Sequence, residues 1–389
     1  MNFFSQRSQN LKPSATFAVA NLAKERKSKG LEVFDLSLGE PDFDVPSYIH
    51  DGIIDSLKSG KTKYTAVDGI LELKQAIIQK FKQDNKLDYE IENISVSTGA
   101  KQVLFNTFLA TLNPGDEVII PSPYWVSYPE MVRFADGTPI ILPLNNSLKI
   151  DPSVLESHIT PQTKWLILNS PSNPTGVVYS EKDYKAIGEV LKRYPHVWIM
   201  SDDIYEHLIF DQKKFLNILN IAQDLKDRTL VVNGFSKAFA MTGLRLGYAA
   251  GPKTLIKALS NIQSQSTSNP SSIIQYGGLK ALNGDMSFLG DWKTQYTNRR
   301  NCCLDILNSS PYLDVTIPEG AFYLFPKLKN NMDDLKFSMA LLEETGVVVV
   351  AGSVFGAPHY FRMAFATSLD ILKEACSRIV KFLDHASSL

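Results

Sequence analysis

Apolar, β-branched segments alternate with helix-like segments along most of this chain, and no other sequence feature constrains its fold more strongly. We predict six strands from this pattern, at Ile94–Ser97, Asp116–Ile120, Trp165–Leu168, Val197–Met200, Thr229–Asn233 and Leu246–Ala250. Helical patterns lie between the strands, such as the one through Lys101–Leu112. Apolar strands separated by helices predict an α/β fold with a mostly parallel sheet between two layers of helices.

The pattern changes from about Asn298 onward. We predict shorter strands at Phe322–Phe325, Val347–Val350 and Tyr360–Ala364, and then a final helix at Leu369–Phe382. This order is typical of a second, smaller α+β domain, with which we expect the first forty or so residues to pack. The predicted boundaries are 45–285 for the large domain, and 1–44 with 286–389 for the small domain.

Charge and composition exclude several classes of protein. Lys and Arg total 40 and Asp and Glu total 41, so the formal net charge is −1 and there is no bulk attraction to nucleic acid or to an anionic membrane. Three cysteines without a CxxC pair predict neither a disulfide framework nor a metal site. The N-terminal residues lack the pattern of a secretory signal, and no apolar run is long enough to span a bilayer. We therefore expect a cytoplasmic protein that binds no metal.

Two cations follow the strand at Thr229–Asn233. Ser236 and Lys237 come directly after it, and Arg245 lies eight positions beyond the lysine, between two glycines. A solvated turn is the plain interpretation, since most Lys and Arg side chains are exposed. The functional alternative is a lysine that forms a Schiff base, beside an arginine that binds phosphate.

Polar residues also follow two neighbouring strands. Asp202 and Tyr205 come after Val197–Met200, where a helix cap is the plain interpretation and a carboxylate that holds a proton on a cofactor ring is the functional one. Asn173 lies in a turn made rigid by Pro171 and Pro174, and this turn could aim its amide at a ligand.

Small residues and aromatic residues complete the pattern. The turn Ser97–Lys101 leads into a helix, whose free N–H groups can bind phosphate. Trp125 follows another strand and could stack on a flat ring, although such an aromatic is more often part of the core. The motifs GxxxxGK[ST] and GxGxxG are absent. Together these residues suggest a planar, phosphorylated cofactor with a carbonyl group.

The same motifs occur in one order over nearly the whole chain. They are Leu11–Thr16, Gly39–Phe43, Lys61–Tyr64, Gly99–Gln102, Ser122–Tyr128, Asn169–Gly176, Ser201–Glu206, Ser236–Lys237 with Arg245, and Tyr360–Ser368. In this order the sequence resembles the class I/II pyridoxal-phosphate-dependent aminotransferases of fold type I, and most of all their bacterial and archaeal aspartate aminotransferase branch. The resemblance implies a large domain with a mostly parallel seven-stranded sheet, a smaller α+β domain, and pyridoxal 5′-phosphate as the cofactor.

The resemblance also assigns roles to cofactor-binding residues. Lys237 is expected to form the internal aldimine and to shuttle the proton during catalysis, while Asp202 pairs with the protonated ring nitrogen. The remaining cofactor contacts implied by the resemblance are Asn173 and Tyr205 on the ring oxygen, Trp125 on the ring face, Gly99, Ala100, Lys101, Ser236 and Arg245 at or near the phosphate, and Tyr64 on the phosphate of a partner subunit. The assignment of Tyr64 implies a homodimer with active sites at the subunit interface.

Substrate residues follow from the same resemblance. Arg362 is expected to bind the α-carboxylate as a bidentate pair, with help from Gly39, while Trp125 and Asn173 also contact substrate. Lys101 and Lys12 are candidates for the distal carboxylate. The implied reaction converts L-aspartate and 2-oxoglutarate into oxaloacetate and L-glutamate by a ping-pong mechanism.

Other interpretations stay open at this point. The same chemistry could act on prephenate or aromatic amino acids, alanine, kynurenine or diaminopimelate. A ligand-sensing domain of a transcription regulator would need a DNA-binding segment, for which the match beginning near Leu11 leaves no room. A cofactor-free binding protein is disfavoured because every cofactor position holds a competent residue.

Overall fold

The structure is a computed structural model that describes residues 3–11, 15–329 and 332–386. The α-helices within these ranges are α1 (Gln6–Asn10), α2 (Ala15–Ser28), α3 (Ser47–Lys58), α4 (Leu71–Lys80), α5 (Ala100–Thr111), α6 (Ser127–Phe134), α7 (Pro152–His158), α8 (Glu181–Arg193), α9 (Lys253–Ser264), α10 (Ser272–Asn283), α11 (Phe288–Leu307), α12 (Asp334–Thr345) and α13 (Leu369–Ala386). None of the helices in the described ranges has the length and apolarity needed to cross a membrane.

The strands form one large sheet and several small ones. They are β1 (Phe34–Asp35), β2 (Ile94–Ser97), β3 (Glu117–Ser122), β4 (Thr138–Pro143), β5 (Thr163–Asn169), β6 (Trp198–Asp202), β7 (Thr229–Gly234), β8 (Gly247–Ala250), β9 (Leu313–Asp314), β10 (Tyr323–Leu324), β11 (Lys327–Leu328), β12 (Val347–Val348), β13 (Val350–Ala351) and β14 (Phe361–Ala364). The large sheet has the order β2-β8-β7-β6-β5-β3-β4. Strand β8 runs antiparallel to both of its neighbours, and the other pairs are parallel. The predicted mostly parallel, seven-stranded α/β architecture is confirmed.

Six of the seven strands match the predicted segments to within a few residues. The seventh, β4, was not predicted, and it lies at the edge of the sheet beside β3. Pro139 and Pro143 interrupt its apolar pattern, and proline is tolerated in a sheet mainly at such edges because it donates no hydrogen bond. The sheet is covered on both faces, because separate apolar clusters pack beneath Leu166 and Ile199 on one side and Trp165 and Met200 on the other.

The C-terminal part has its own core. Helices α11 and α13 pack against the sheet β10-β14-β13, around buried residues such as Phe322 and Phe361. The predicted strand Val347–Val350 is divided into β12 and β13. Strand β1 pairs in parallel with β12, which brings Leu36 into the same core. An N-terminal segment therefore packs with the C-terminal part, while the exact domain boundaries stay a prediction.

Candidate active site

Most of the predicted site residues surround one cavity of about 460 Å³ at the carboxyl edge of the large sheet. Strands β3, β5, β6 and β7 are parallel, so the residues that follow them meet at the same edge. The predicted residues that line the cavity are Gly39, Ala100, Lys101, Trp125, Asn173, Asp202, Tyr205, Ser236, Lys237, Arg245 and Arg362. Residues far apart in the sequence thus form one site.

Lys237 follows β7 and points into the cavity. Its Nζ donates a hydrogen bond to the carbonyl oxygen of Gly39 at 2.6 Å. Burial, together with the charges of Arg362 and Arg245, lowers the pKa of Lys237 to about 8, against the opposing effect of Glu40. A lysine with this pKa is partly neutral near pH 8, which an amine needs in order to attack a carbonyl.

Asp202 lies at the end of β6 and is only 4% exposed. The hydroxyl of Tyr128 donates to its Oδ2 at 2.6 Å, and the backbone N–H of Ile204 donates to its Oδ1 at 3.4 Å. Burial raises the pKa of Asp202 to about 6, although the hydrogen bond from Tyr128 opposes this shift. Near neutral pH the carboxylate is therefore charged and held in place, so it suits a protonated ring nitrogen.

Asp203 and Glu206 belong to the same segment as Asp202 but do not line the cavity, and both carboxylates bind buried polar side chains. The Asp203 carboxylate accepts hydrogen bonds from Ser201 and Asn217. Glu206 pairs with Lys80 and accepts hydrogen bonds from the amides of Asn85 and Asn233, each at 2.7 Å. Burial would raise the pKa of Glu206, but the charge of Lys80 holds it well below its usual range. Asn233 lies in β7, just before the turn that carries Lys237. Its hydrogen bond to Glu206 therefore links the segment of Asp202 to the segment of Lys237.

Small residues surround the turn into α5, where backbone N–H groups could bind an anion. Gly99 has a φ of +85°, and a Cβ there would lie 2.5 Å from Nη2 of Arg245. A Cβ on Gly247 would lie 2.2 Å from the backbone nitrogen of Ala100. Backbone N–H groups at the start of α5, the Ser236 hydroxyl and the Arg245 guanidinium therefore converge only because both glycines lack side chains.

Trp125 and Lys101 form a second wall. The Lys101 Nζ lies 4.7 Å from the centre of the Trp125 ring, and that ring meets Tyr128 edge-on at 5.3 Å. Burial and the nearby charge of Arg245 both lower the pKa of Lys101. Lys101 is thus a second basic side chain in the wall of the cavity, and its lowered pKa makes its ammonium group easier to deprotonate than that of an exposed lysine.

Arg362 lies on β14, lines the cavity and is buried. Its Nη1 donates to Oδ1 of Asn173 at 3.1 Å, and its Nη2 donates to the carbonyl of Ser37. Its Nε is buried without a hydrogen-bond partner among the described residues. A buried guanidinium with an unused donor is suited to a carboxylate ligand.

Tyr205 was predicted, but its partner was not. The hydroxyls of Tyr205 and Tyr323 lie 2.8 Å apart, and Tyr323 also lines the cavity. Sequence reasoning likewise missed the role of Tyr128 and of Asn169, whose Oδ1 accepts from the backbone N–H of Asn173 at 2.9 Å. Tyr128 stands three residues after Trp125 and could have been found from that spacing, whereas nothing in the sequence marks Tyr323.

Two predicted residues in the described part of the chain do not line the cavity. Gly99 lies just behind it, against Arg245. Tyr64 is 93% exposed and is therefore available to another molecule. Lys12 lies outside the described residues.

Known proteins resemble this chain over nearly its full length. The sequence model of the family described as aminotransferase class I and II matches residues 32–379. An aspartate/prephenate aminotransferase of Cereibacter sphaeroides is 50% identical over 98% of this chain and 99% of its own length. One from Nitrosomonas europaea is 47% identical over 97% of this chain and 99% of its own.

Solved structures agree with these sequence matches. The aspartate aminotransferase of Rhizobium meliloti superposes with a TM-score of 0.96 at 44% identity, over 99% of each chain. That of Thermus thermophilus, solved with maleate, has a TM-score of 0.94 at 40% identity, over 98% of this chain and 100% of its own. The resemblance predicted from the motifs is therefore confirmed, together with the fold type that it implied.

Proposed function

This chain belongs to the class I and II aminotransferases, which depend on pyridoxal phosphate, and we propose that it transfers the amino group of L-aspartate to 2-oxoglutarate. One observation carries the proposal. A single cavity holds a lysine of lowered pKa, a buried carboxylate and a buried arginine with an unused donor, namely Lys237, Asp202 and Arg362.

The cavity fits the cofactor of this family. A side chain on Gly99 would collide with Arg245, so the glycine lets the Arg245 guanidinium lie against the start of α5, where a phosphate would be bound. We assign the phosphate to the N–H groups of Gly99 and Ala100, with Ser236 and Arg245, and the ring nitrogen to Asp202. Trp125 would cover the ring face, while Asn173 and Tyr205 would bind the ring oxygen. When bound, pyridoxal phosphate supplies a carbonyl for the amine and a ring that delocalises the electrons left on the substrate Cα.

The proton transfers are assigned to Lys237. Its lowered pKa would let Nζ, when neutral, accept the proton from the substrate Cα and return it to C4′ of the bound cofactor. Asp202, charged above about pH 6 and fixed by Tyr128, would keep the ring nitrogen protonated throughout. Lys237 would thus transfer protons while Asp202 would hold one on the ring, and burial shifts the pKa of each residue in the direction described above.

The substrate contacts are assigned to two cationic residues that line the cavity. Arg362 would bind the α-carboxylate through its guanidinium as a bidentate pair. Lys101 would attract the distal carboxylate of aspartate or glutamate. Lys12 stays a further candidate for that carboxylate.

Prephenate is a second candidate acceptor. The Cereibacter and Nitrosomonas relatives are both named aspartate/prephenate aminotransferases. Prephenate is a 2-oxo acid with a second carboxylate, so it presents the same pair of charges as 2-oxoglutarate. The positive charges of Arg362 and Lys101 at the cavity would suit both acceptors.

We further propose that the protein is a homodimer in the cytoplasm, divided into domains at 45–285 and at 1–44 with 286–389. The exposed side chain of Tyr64 supports the dimer, because it could reach the phosphate of a partner subunit. A monomer in sedimentation experiments would contradict this assignment. So would a Tyr64→Phe variant with unchanged affinity for the cofactor.

Steady-state kinetics test the proposed reaction. With aspartate and 2-oxoglutarate varied together, a ping-pong mechanism gives parallel double-reciprocal lines, and intersecting lines would contradict it. A panel of donors at equal concentration then ranks aspartate against alanine, phenylalanine, kynurenine and diaminopimelate. Replacing 2-oxoglutarate by prephenate measures the second candidate directly, and turnover with neither acceptor would exclude both.

A further inference from the structure

Tyr323 lines the cavity, and its side chain contacts three other parts of the site. Its hydroxyl oxygen is 2.8 Å from that of Tyr205, and the Cζ of Arg362 lies 4.6 Å from the centre of its ring. A Cβ on Gly39 would lie only 2.6 Å from the same oxygen, so the glycine leaves the space that the hydroxyl occupies. Tyr323 therefore contacts a proposed ring-binding residue, a proposed carboxylate-binding residue and the segment that accepts a hydrogen bond from Lys237.

The direction of the hydrogen bond between Tyr205 and Tyr323 decides whether the Tyr205 proton can point into the cavity. Each hydroxyl carries one proton, so one tyrosine donates to the other. If Tyr205 donated to Tyr323, it could only accept hydrogen bonds from the cavity. If Tyr323 donates instead, the Tyr205 proton stays free to point into the cavity.

The surroundings favour donation by Tyr323. The guanidinium of Arg362 lies over the Tyr323 ring, and its positive charge polarises the O–H bond and opposes the rise that burial causes in the pKa of Tyr323. Arg362 acts in the same direction on Tyr205, but there the charge of Asp202 opposes it and burial raises the pKa well above its usual range. The Tyr323 ring packs against Phe322 at 4.8 Å, within the buried core. Among the described residues, Tyr205 is the hydrogen-bond partner found for the Tyr323 hydroxyl. The more acidic hydroxyl is the better donor, and its place is fixed by packing.

We propose that Tyr323 is a positioning residue, which donates to the Tyr205 hydroxyl and thereby turns the Tyr205 proton toward an anionic oxygen on the cofactor ring. The inference rests on the proposed function, in which Tyr205 binds that oxygen. Without Tyr323, the Tyr205 hydroxyl would rotate and would spend part of its time pointing away from the cavity.

The test uses the pH at which the visible absorption of the bound cofactor is half-changed, measured on purified holoenzyme. Tyr205→Phe should raise this pH midpoint, because an oxygen without its donor is more basic and helps the cofactor to retain a proton. Tyr323→Phe keeps the ring beneath Arg362 and should raise the midpoint by about 0.4–1 pH unit, the range expected for weakening one hydrogen bond. In the Tyr205→Phe background, Tyr323→Phe should cause no further shift.

Tyr296→Phe is the matched control, since it removes another buried hydroxyl that has no hydrogen-bond partner among the described residues. Its midpoint should equal that of the wild type. An unchanged midpoint in Tyr323→Phe, beside a raised one in Tyr205→Phe, would overturn this inference alone. A full shift from Tyr323→Phe in the Tyr205→Phe background would also overturn it. An unchanged midpoint in Tyr205→Phe would overturn the proposed role of Tyr205 as well.

Discussion

We predict that the buried carboxylate of Asp202 lowers the free energy of unfolding of the protein, by an amount that depends on pH. Asp202 is 4% exposed, and burial raises its pKa from the 3.8 of an ordinary aspartate to about 6. An acid whose pKa is raised by folding contributes stability below its unfolded pKa, and this contribution is lost as the pH rises through the folded pKa. Two pKa units correspond to about 3 kcal/mol of free energy of unfolding.

Asp202→Asn removes the charge while keeping an acceptor for the Tyr128 hydroxyl. After removal of the cofactor, the variant should therefore be more stable than the wild type by about 3 kcal/mol at pH 8 and by roughly half of that at pH 5. Urea unfolding at the two pH values measures this difference. The same variant should bind pyridoxal phosphate more weakly and lose turnover, since an amide cannot pair with a protonated ring nitrogen.

Asp305→Asn, on the exposed side of α11, is the control and should show no such dependence on pH. The reasoning would be refuted if Asp202→Asn were less stable than the wild type at both pH values. It would also be refuted by a stability difference that did not widen between pH 5 and pH 8. Either result would mean that burial does not penalise the charged form of this carboxylate.

Further predictions concern the substrate contacts and the buried network. Arg362→Ala should lower kcat/KM for every amino donor by roughly 30- to 5000-fold, which corresponds to about 2–5 kcal/mol for one lost partner of a buried charge pair. Arg133→Ala, which changes an exposed arginine, is the control and should not lower kcat/KM in this way. Stopped-flow measurements of the half-reaction check both variants, and a loss under threefold in Arg362→Ala would contradict the prediction. Lys101→Ala should reduce kcat/KM for aspartate and glutamate far more than for alanine and phenylalanine, and equal losses for all four would remove its distal role. Lys80→Met should lower the free energy of unfolding by about 3–5 kcal/mol, because Glu206 would keep a buried charge without its cation. Lys192→Met breaks an exposed pair with Glu189 and should cost less than about 1 kcal/mol in the same denaturation experiment, so similar losses in both variants would contradict the reasoning.

Local patterns were enough to predict where the site is built. Asp202 and Lys237 each follow an apolar strand, and parallel strands end at one edge of a sheet, so the sequence alone was enough to expect their proximity. The turn at Gly99 could be expected in the same way. These predictions depended only on the order of strands, helices and the polar residues between them.

Contacts between distant segments could not be predicted in this way. Tyr323 reaches Tyr205 across 118 residues, and Arg362 reaches Asn173 across 189. Neither contact has a periodic or local signal, because each depends on how distant segments of the chain pack together. The edge strand β4 was missed for a different reason. Its two prolines make the sequence unlike that of a strand, but the segment still forms one because it pairs with β3 at the edge of the sheet.

The visible absorption spectrum of the purified holoenzyme, before and after L-aspartate is added without an acceptor, tests the central claim most directly. We predict a visible band from the cofactor bound at Lys237, its loss upon addition of aspartate, and its return when 2-oxoglutarate follows. Lys237→Ala should keep its fold and should not complete this cycle. A protein that takes up no pyridoxal phosphate, or a Lys237→Ala variant that completes the cycle at the wild-type rate, would contradict the account.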